Sequence, residues 1–327
     1  MHSDFNIPPA FNTPVRTFAS GYNWREKISF FKNRIRPSRR YKQLTRPLAK
    51  QSIINPGITP SVTLGFTGDV MPIKDYRLTI SDDVKQFFAG VDYLLVNMEG
   101  VITDQKRLLA LSHRKEIAGY LAQMFPPERT IVYVANNHAG DFGYPAFVEQ
   151  YAWLKDHFGY VIGAQHEAAL RIGDINITSV TGLSNQICKY VAWLDDAGKW
   201  YDQSANFNLL LPHWGYELQL YPYPGQIKLA ENWLSKWNMI AGNHSHCPQP
   251  ATAYAIGNER RASIYSMGNF CYHHRWPHHR FGKIAKVAIG PNAGGQWQAG
   301  ELNWEYTRHD LRANKELAVH LTPTVKY

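Results

Sequence analysis

Five apolar runs in this 327-residue chain each end abruptly in polar residues that are able to do chemistry. In the plainest case, residues 130–135 are followed within six positions by Asn137, His138 and Asp141. Such a switch is typical of a buried strand whose carboxyl end opens into a functional loop. The five runs are residues 61–70, 93–97, 130–135, 207–211 and 238–241. Because this pattern recurs five times, we expect a fold that gathers strand ends into one site.

The segments between and after these runs predict the other elements of the fold. Apolar residues at helical spacing predict helices over residues 83–89, 144–158 and 226–236. Further strands are predicted over residues 160–164 and 175–180, a hairpin over 253–256 and 263–266, and closing strands with an irregular tail after residue 290. Strands that alternate with helices, followed by hairpins, indicate a mixed α/β layered fold.

The composition is that of a folded protein, with 44% hydrophobic and 13% aromatic residues. The chain has three scattered cysteines, which is an odd number, so we expect a reducing compartment rather than a disulfide framework. We see no apolar run long enough to span a bilayer and no signal peptide. These features predict a cytoplasmic location.

The formal net charge of the whole chain is +9, and the excess positive charge is concentrated at its start. Residues 1–50 hold eleven Lys or Arg and two acids, whereas the other 277 residues hold 24 of each. We predict a basic arm over residues 1–58, poorly ordered and with a short amphipathic helix over 24–35, before a folded domain over 59–327. The arm either docks on anionic lipid, nucleic acid or an acidic polymer, or is a solvated extension.

The polar residues at the strand ends are candidate metal ligands and catalytic groups. Asn offers a neutral oxygen to a hard cation, His binds metal or gives up a proton, and Asp can hold a His in one tautomer. Mixed oxygen and imidazole donors suit zinc, manganese or iron, and a bridging carboxylate holds two ions about 3.5–4 Å apart. Taken singly, each cluster is also compatible with solvated carboxylates or packed core histidines. The candidates are Asp69, Glu99, Asn137, His138, Asp141, His213, His244 and His246.

In this order the motifs resemble the CapA branch of the calcineurin-like metallophosphoesterase superfamily, which is associated with capsule and poly-gamma-glutamate synthesis. The matching segments are residues 68–71 (GDVM), 97–100 (NMEG), 135–138 (ANNH), 213–215 (HWG), 242–246 (GNHSH) and 265–270 (YSMGNF). The resemblance covers residues 60–275 and implies a four-layer α/β/β/α sandwich with a metal site at one edge of its two sheets.

The resemblance also implies a role for each candidate residue. Glu99 would bridge two divalent ions, in place of the superfamily's Asp, and Asp69 would be a further ligand. One ion would be held by Asn137, His213 and His244, and the other by His246. His138 would be the general acid, steered by Asp141. The superfamily's Asp-x-His motif has Met71 at its third position here, so one imidazole ligand is missing.

The function implied is metal-dependent phosphoester hydrolysis of a phosphorylated small molecule or an anionic polymer. The alternative is a non-hydrolytic accessory protein that binds a polymer such as poly-gamma-glutamate. A nuclease guided by the arm is a third hypothesis, but the arm has no recognisable nucleic-acid-binding motif, so we expect no nucleic-acid partner. Residues 272–280 either line a substrate mouth or form a solvated loop. Asn269 is expected to support other site residues.

Overall fold

A computed structural model of the chain describes residues 10–11, 13–17 and 20–327. The remaining residues of the predicted arm, 1–9, 12, 18 and 19, lie outside the described part. The helices are α1 (Trp24–Ile35), α2 (Asp82–Phe87), α3 (Glu116–Ala122), α4 (Gly143–His157) and α5 (Pro224–Leu234), with 3₁₀ helices at Lys42–Leu44, Pro127–Arg129, Leu194–Trp200 and Pro277–His279. The strands are β1 (Gln51–Ile53), β2 (Val62–Phe66), β3 (Asp69–Val70), β4 (Arg77–Ile80), β5 (Tyr93–Asn97), β6 (Val101–Ile102), β7 (Ser112–His113), β8 (Thr130–Tyr133), β9 (Tyr160–Ile162), β10 (Ala169–Ile172), β11 (Ile175–Thr181), β12 (Phe207–His213), β13 (Met239–Ala241), β14 (Ala251–Ile256), β15 (Glu259–Ile264), β16 (Asn269–Cys271), β17 (Phe281–Pro291), β18 (Trp297–Leu311) and β19 (Glu316–Thr322).

Two large sheets carry most of the strands. The nine-stranded sheet has the order β4-β19-β18-β17-β2-β5-β8-β9, with β1 paired to β18. Within it, β2, β5, β8 and β9 run parallel to one another. The six-stranded sheet has the order β10-β11-β12-β13-β15-β14, and its central strands β11, β12, β13 and β15 are also parallel. Parallel neighbours place their carboxyl ends at one edge of each sheet.

Alternate residues along the strands face different apolar layers, as strand geometry requires. In β5, Leu94 and Val96 pack with the helices α2, α3 and α4, whereas Leu95 faces the second sheet. In β12, Leu209 and Leu211 face the first sheet, and Leu210 packs with helix α5. The layers are therefore helices, sheet, sheet and helix, which confirms the predicted four-layer α/β/β/α sandwich.

Most predicted elements are present with shifted ends. The helix expected over 226–236 begins two residues earlier, at Pro224, because proline suits the first turn of a helix. The hairpin expected over 253–256 and 263–266 is the antiparallel pair β14 and β15. The single strand expected over 61–70 divides into β2 and β3. The helix expected over 24–35 is confirmed as α1.

The break between β2 and β3 depends on a glycine. A side chain at Gly68 would collide with the carbonyl oxygen of Gly268, to which the backbone N–H of Asp69 donates a 2.7 Å hydrogen bond. Only a residue without a Cβ allows the two segments to come this close. This contact places Asp69 beside the end of β5.

In the part of the chain that the structure describes, every helix is too short or too polar to cross a bilayer.

Candidate metal centre

The carboxyl ends of five strands meet and bring the predicted ligands together. Asp69 follows β2, Glu99 follows β5, Asn137 follows β8, His213 ends β12, and His244 follows β13. All five side chains are at most 1% exposed, and His246, in the same loop as His244, is 3% exposed. The structure therefore gathers every metal ligand that the sequence predicted.

The first group of ligands contains two carboxylates and an imidazole. Asp69, Glu99 and His246 each offer one ligand atom within 4.8 Å of the other two. The Nε2 of His246 lies 3.7 Å from Glu99 Oε1, and its Nδ1 lies 3.7 Å from Asp69 Oδ2. Ligand atoms that share one ion at bond lengths of about 2.0–2.2 Å stand about 3–4 Å apart, so the 3.7 Å between Nε2 and Glu99 Oε1 suits a metal.

The second group contains an amide and two imidazoles. The Nε2 of His213 lies 2.8 Å from Asn137 Oδ1 and 3.1 Å from the Nδ1 of His244. The same Nε2 lies 3.8 Å from Glu99 Oε1. One carboxylate oxygen of Glu99 thus lies between His213 of the second group and His246 of the first, which is the position that a bridging ligand requires.

Electrostatics at the centre favour a bound cation. Burial raises the pKa of Asp69 to about 7 and, with the added repulsion of the Asp69 charge, raises the pKa of Glu99 well above its usual range. Burial lowers the pKa of His213 and His244 well below the usual value and that of His246 to about 4, so these imidazoles are neutral and free to bind metal. Neutral imidazoles cannot offset two buried carboxylates.

The carboxylate of Glu99 provides the sharpest test of whether a metal fits. Both of its oxygens are buried and have no hydrogen-bond partner among the described residues. Burying an ionised carboxylate without a partner is costly, and buried charges are paired or coordinate metals. Divalent cations accept such oxygens together with imidazole nitrogens. The residues present therefore fit a metal.

A hydrogen bond to a neighbouring amide fixes the orientation of one ligand imidazole, that of His246. Asn269 Oδ1 accepts a 2.9 Å hydrogen bond from His246 Nδ1, while its own amide nitrogen donates to the carbonyl of His279. This arrangement leaves Nε2 of His246 facing Glu99. Asn269 is thus a supporting residue, as the sequence predicted, and such partners raise the basicity of the ligand.

His138 lies at the edge of the centre rather than within it. Its Nδ1 lies 2.7 Å from Asp141 Oδ2, which also accepts a hydrogen bond from the backbone N–H of Leu111. Burial lowers the pKa of His138, but the adjacent Asp141 carboxylate raises it, and the net direction is upward. This pair is the geometry that a steered general acid requires.

A cavity of about 950 Å³ opens onto the centre, and both His138 and His246 line it. Its walls carry five basic side chains against three carboxylates, and Arg114 pairs with Asp75. Tyr272, His273, His274 and His279 also line it, so part of the 272–280 segment contributes to the mouth, while residues 275–277 are exposed. The basic side chains are Arg34, Lys74, Lys106, Arg107 and Arg114. The cavity suits an anionic ligand.

Sequence reasoning missed two residues at the centre. The hydroxyl of Tyr22 lies 2.6 Å from Nε2 of His244, although 222 positions separate them. The carboxylate of Glu217 lies 3.9 Å from Nε2 of His246, and burial raises its pKa to about 7. Glu217 follows His213 in the same loop, so its position just after the HWG motif could have indicated it as a site residue. No sequence motif indicates Tyr22.

Met71 stands at the position where the superfamily motif has a histidine. Its side chain is 2% exposed and lines the cavity. A thioether is a soft and weak donor compared with imidazole, so the Asp69 group depends on its two carboxylates and His246.

Comparisons with known proteins came from a family model, curated sequences and solved structures. The comparison with curated proteins found no match. The crystal structure of Chaetomium thermophilum Vps29 matches with 10% identity and a TM-score of 0.33, covering 80% of this chain and 96% of that chain. The model of the family described as "Bacterial capsule synthesis protein PGA_cap" matches residues 63–208 and 192–274, more than half of the chain, and spans all the candidate ligands. The chain therefore belongs to this family of bacterial capsule synthesis proteins, which confirms the resemblance seen in its motifs.

Proposed function

We propose that this protein is a metal-dependent phosphoester hydrolase that acts in the synthesis of a capsule or of poly-gamma-glutamate. The observation that carries the proposal is the Glu99 carboxylate, which is buried without a partner between two sets of ligand atoms. A carboxylate so placed stays ionised near neutral pH when a cation lies beside it, because burial otherwise raises its pKa. The family match supports the link to capsule synthesis.

Because the candidate ligand atoms form two groups that share Glu99, the proposed centre holds two divalent ions. Asp69, Glu99 and His246 would hold one ion, and Glu99 with the second group would hold the other. The second group consists of Asn137, His213 and His244. These mixed oxygen and nitrogen donors suit manganese, zinc or iron. When bound, such ions supply positive charge that lowers the pKa of water and neutralises a phosphoryl group.

The protein's own residues supply the rest of the chemistry. Because Asp141 binds Nδ1 of His138, Nε2 is the ring nitrogen that can give a proton to the leaving oxygen of the substrate. Arg34, Lys74 and Arg107 in the cavity wall would bind phosphoryl and other anionic oxygens of the substrate. We therefore assign to this site a phosphorylated molecule or an anionic polymer as its substrate.

The test measures metal content and hydrolysis of generic phosphomonoesters and phosphodiesters with added manganese. We expect about two equivalents of metal in the wild type. We expect His138→Ala to keep its metal and lose roughly 100-fold or more in turnover, since general acids contribute about that much. His244→Ala should lose metal as well as activity, while His166→Ala, at an exposed position, is the matched control.

Two outcomes would count against the hydrolase. One is full activity in His138→Ala, and the other is wild-type metal content in His244→Ala.

A second candidate is an accessory protein that binds an anionic polymer without hydrolysing it. The basic wall of the cavity and the apolar Met71 at a ligand position favour it. It predicts binding to polyglutamate that survives removal of metal by a chelator, with no phosphoester hydrolysis. Binding that disappears with the metal would instead support the hydrolase.

A further inference from the structure

Helix α1 presents an apolar stripe to solvent. Trp24, Ile28, Phe31 and Ile35 follow one another at spacings of four, three and four residues, which places them on one line along a helix. Their side chains are 66%, 47%, 60% and 82% exposed. A contiguous exposed patch of large apolar residues marks a surface that binds something. This set is called the α1 stripe below.

The opposite face of α1 is held against the body of the protein. Asn33 is 7% exposed and donates a hydrogen bond to the carbonyl of Glu217. Phe30 packs beside Leu218, and just after the helix Ser38 exchanges backbone hydrogen bonds with Leu218 and Leu220. The helix therefore has a fixed inner face, and the α1 stripe is directed away from the core.

The inner face also forms part of the cavity wall. Phe30 and Arg34 line the cavity, and the Arg34 guanidinium lies 4.3 Å from the centre of the Trp276 ring. Tyr22, two residues before the helix, touches His244. The α1 stripe therefore lies on the outer side of an element whose inner side borders the candidate centre.

Positive charge flanks the α1 stripe. On a helical projection Lys27 and Lys32 lie on its two sides, and both are exposed. Residues 20–50 contain one acid, Glu26, whose carboxylate accepts a hydrogen bond from the Tyr216 hydroxyl on the inner face. Exposed basic residues continue beyond the helix at Arg36, Arg39, Arg40, Lys42 and Arg46. The outer side of α1 is apolar along its centre and positive at its margins.

We propose that α1 lies in the headgroup region of an anionic lipid bilayer, with the α1 stripe inserted and the basic residues bound to lipid phosphates. A large apolar face with Lys and Arg at its margins is what binds a helix in the plane of a membrane surface. A second copy of α1 is a poorer partner, since its Lys27 and Lys32 would meet like charges. Nucleic acid would use the basic residues but leave the apolar ones exposed.

This placement has a consequence for the substrate. Since α1 borders the cavity, docking holds the cavity beside the membrane surface, where lipid-linked phosphates are concentrated. Binding to lipid is independent of hydrolysis and is measured without the reaction.

The experiment is sedimentation of the full chain with vesicles, either of phosphatidylcholine alone or mixed with phosphatidylglycerol. We expect binding to the mixed vesicles and little to the neutral ones, with the binding weakened by high salt. The double variant Phe31→Ser/Ile35→Ser should bind the mixed vesicles about tenfold more weakly or worse. Lys27→Gln/Lys32→Gln should weaken binding and reduce its salt dependence.

The matched control is Ile53→Ser, which removes an equally exposed apolar side chain, 65% exposed, outside α1. It should bind as the wild type does, and all variants should keep wild-type circular dichroism and metal content. Equal binding by the wild type and the Phe31→Ser/Ile35→Ser variant would overturn the proposal. So would a wild-type dimer that this variant dissociates, since the α1 stripe would then join two copies of the chain.

Discussion

At the scale of single residues, Tyr22 shows how a distant segment can complete a site. Its hydroxyl accepts a hydrogen bond from the Glu217 backbone N–H and lies 2.6 Å from Nε2 of His244. The Nδ1 of His244 is the nitrogen that faces His213. Tyr22 therefore fixes the ring so that Nδ1 is left for a metal.

We expect Tyr22→Phe to weaken metal binding about tenfold, because partners of a ligand imidazole typically contribute 10- to 100-fold to affinity. Calorimetric titration of the metal-free protein with manganese or zinc measures this change. Tyr216→Phe is the control, since it loses a hydrogen bond to Glu26 in the same region without touching a ligand. Unchanged affinity in Tyr22→Phe would show that Tyr22 only packs against the site.

At the scale of elements, strand β17 carries a lysine into the core between the sheets. Lys283 is 1% exposed, and its ammonium donates a 2.7 Å hydrogen bond to the carbonyl of Gln249 and lies 4.3 Å from the centre of the Trp304 ring. Burial lowers the pKa of Lys283 to about 7. The folded protein therefore releases a proton near neutrality that the unfolded chain keeps until about pH 10.4.

This difference makes the contribution of Lys283 to stability depend on pH. Above pH 7 the unfolded chain binds more protons than the folded one, so stability rises with pH, by up to roughly 1.4 kcal/mol per unit between about pH 7 and 10. We expect Lys283→Met to lose this slope. Urea unfolding of both proteins at several values of pH measures it.

The partly exposed Lys286 on the same strand provides the control, because Lys286→Met should keep the wild-type slope. A free-energy difference between wild type and Lys283→Met that stays constant with pH would contradict the expectation.

At the scale of the whole molecule, the candidate centre joins the two sheets. Asp69, Glu99 and Asn137 come from the nine-stranded sheet or the strands beside it, whereas His213 and His244 come from the six-stranded one. A metal bound between them would connect the two halves of the sandwich. Binding to the folded state alone also stabilises the whole fold.

We expect manganese to raise the thermal unfolding midpoint by several degrees, since a ligand at 100 times its Kd adds about 2.7 kcal/mol. Glu99→Gln should lose this rise, yet without metal it should unfold no lower than the wild type, because an amide carries no charge to bury. Scanning calorimetry with and without a chelator tests both. A metal-dependent rise that survives in Glu99→Gln would argue against Glu99 as a ligand.

Patterns along the chain were enough to predict a mixed α/β layered fold and a set of candidate ligands, and the family resemblance added the four-layer arrangement. Apolar runs predict strands, and parallel strands place their carboxyl ends at one edge of a sheet. Residues at those strand ends, such as Asn137 and His213, are therefore expected to lie close together. These inferences need only local patterns along the chain. They predicted the six candidate ligands but neither Tyr22 nor Glu217, which also lie at the centre.

Which other segments reach the centre depends on tertiary packing and is not encoded in local sequence patterns. The contact between Tyr22 and His244 joins residues 222 positions apart, and no local pattern encodes it. The orientation of α1, with Asn33 buried and Ile35 exposed, likewise depends on packing against the Leu218 segment. Periodicity predicts that a helix has two faces, but the rest of the fold determines which face meets the protein and which meets its surroundings.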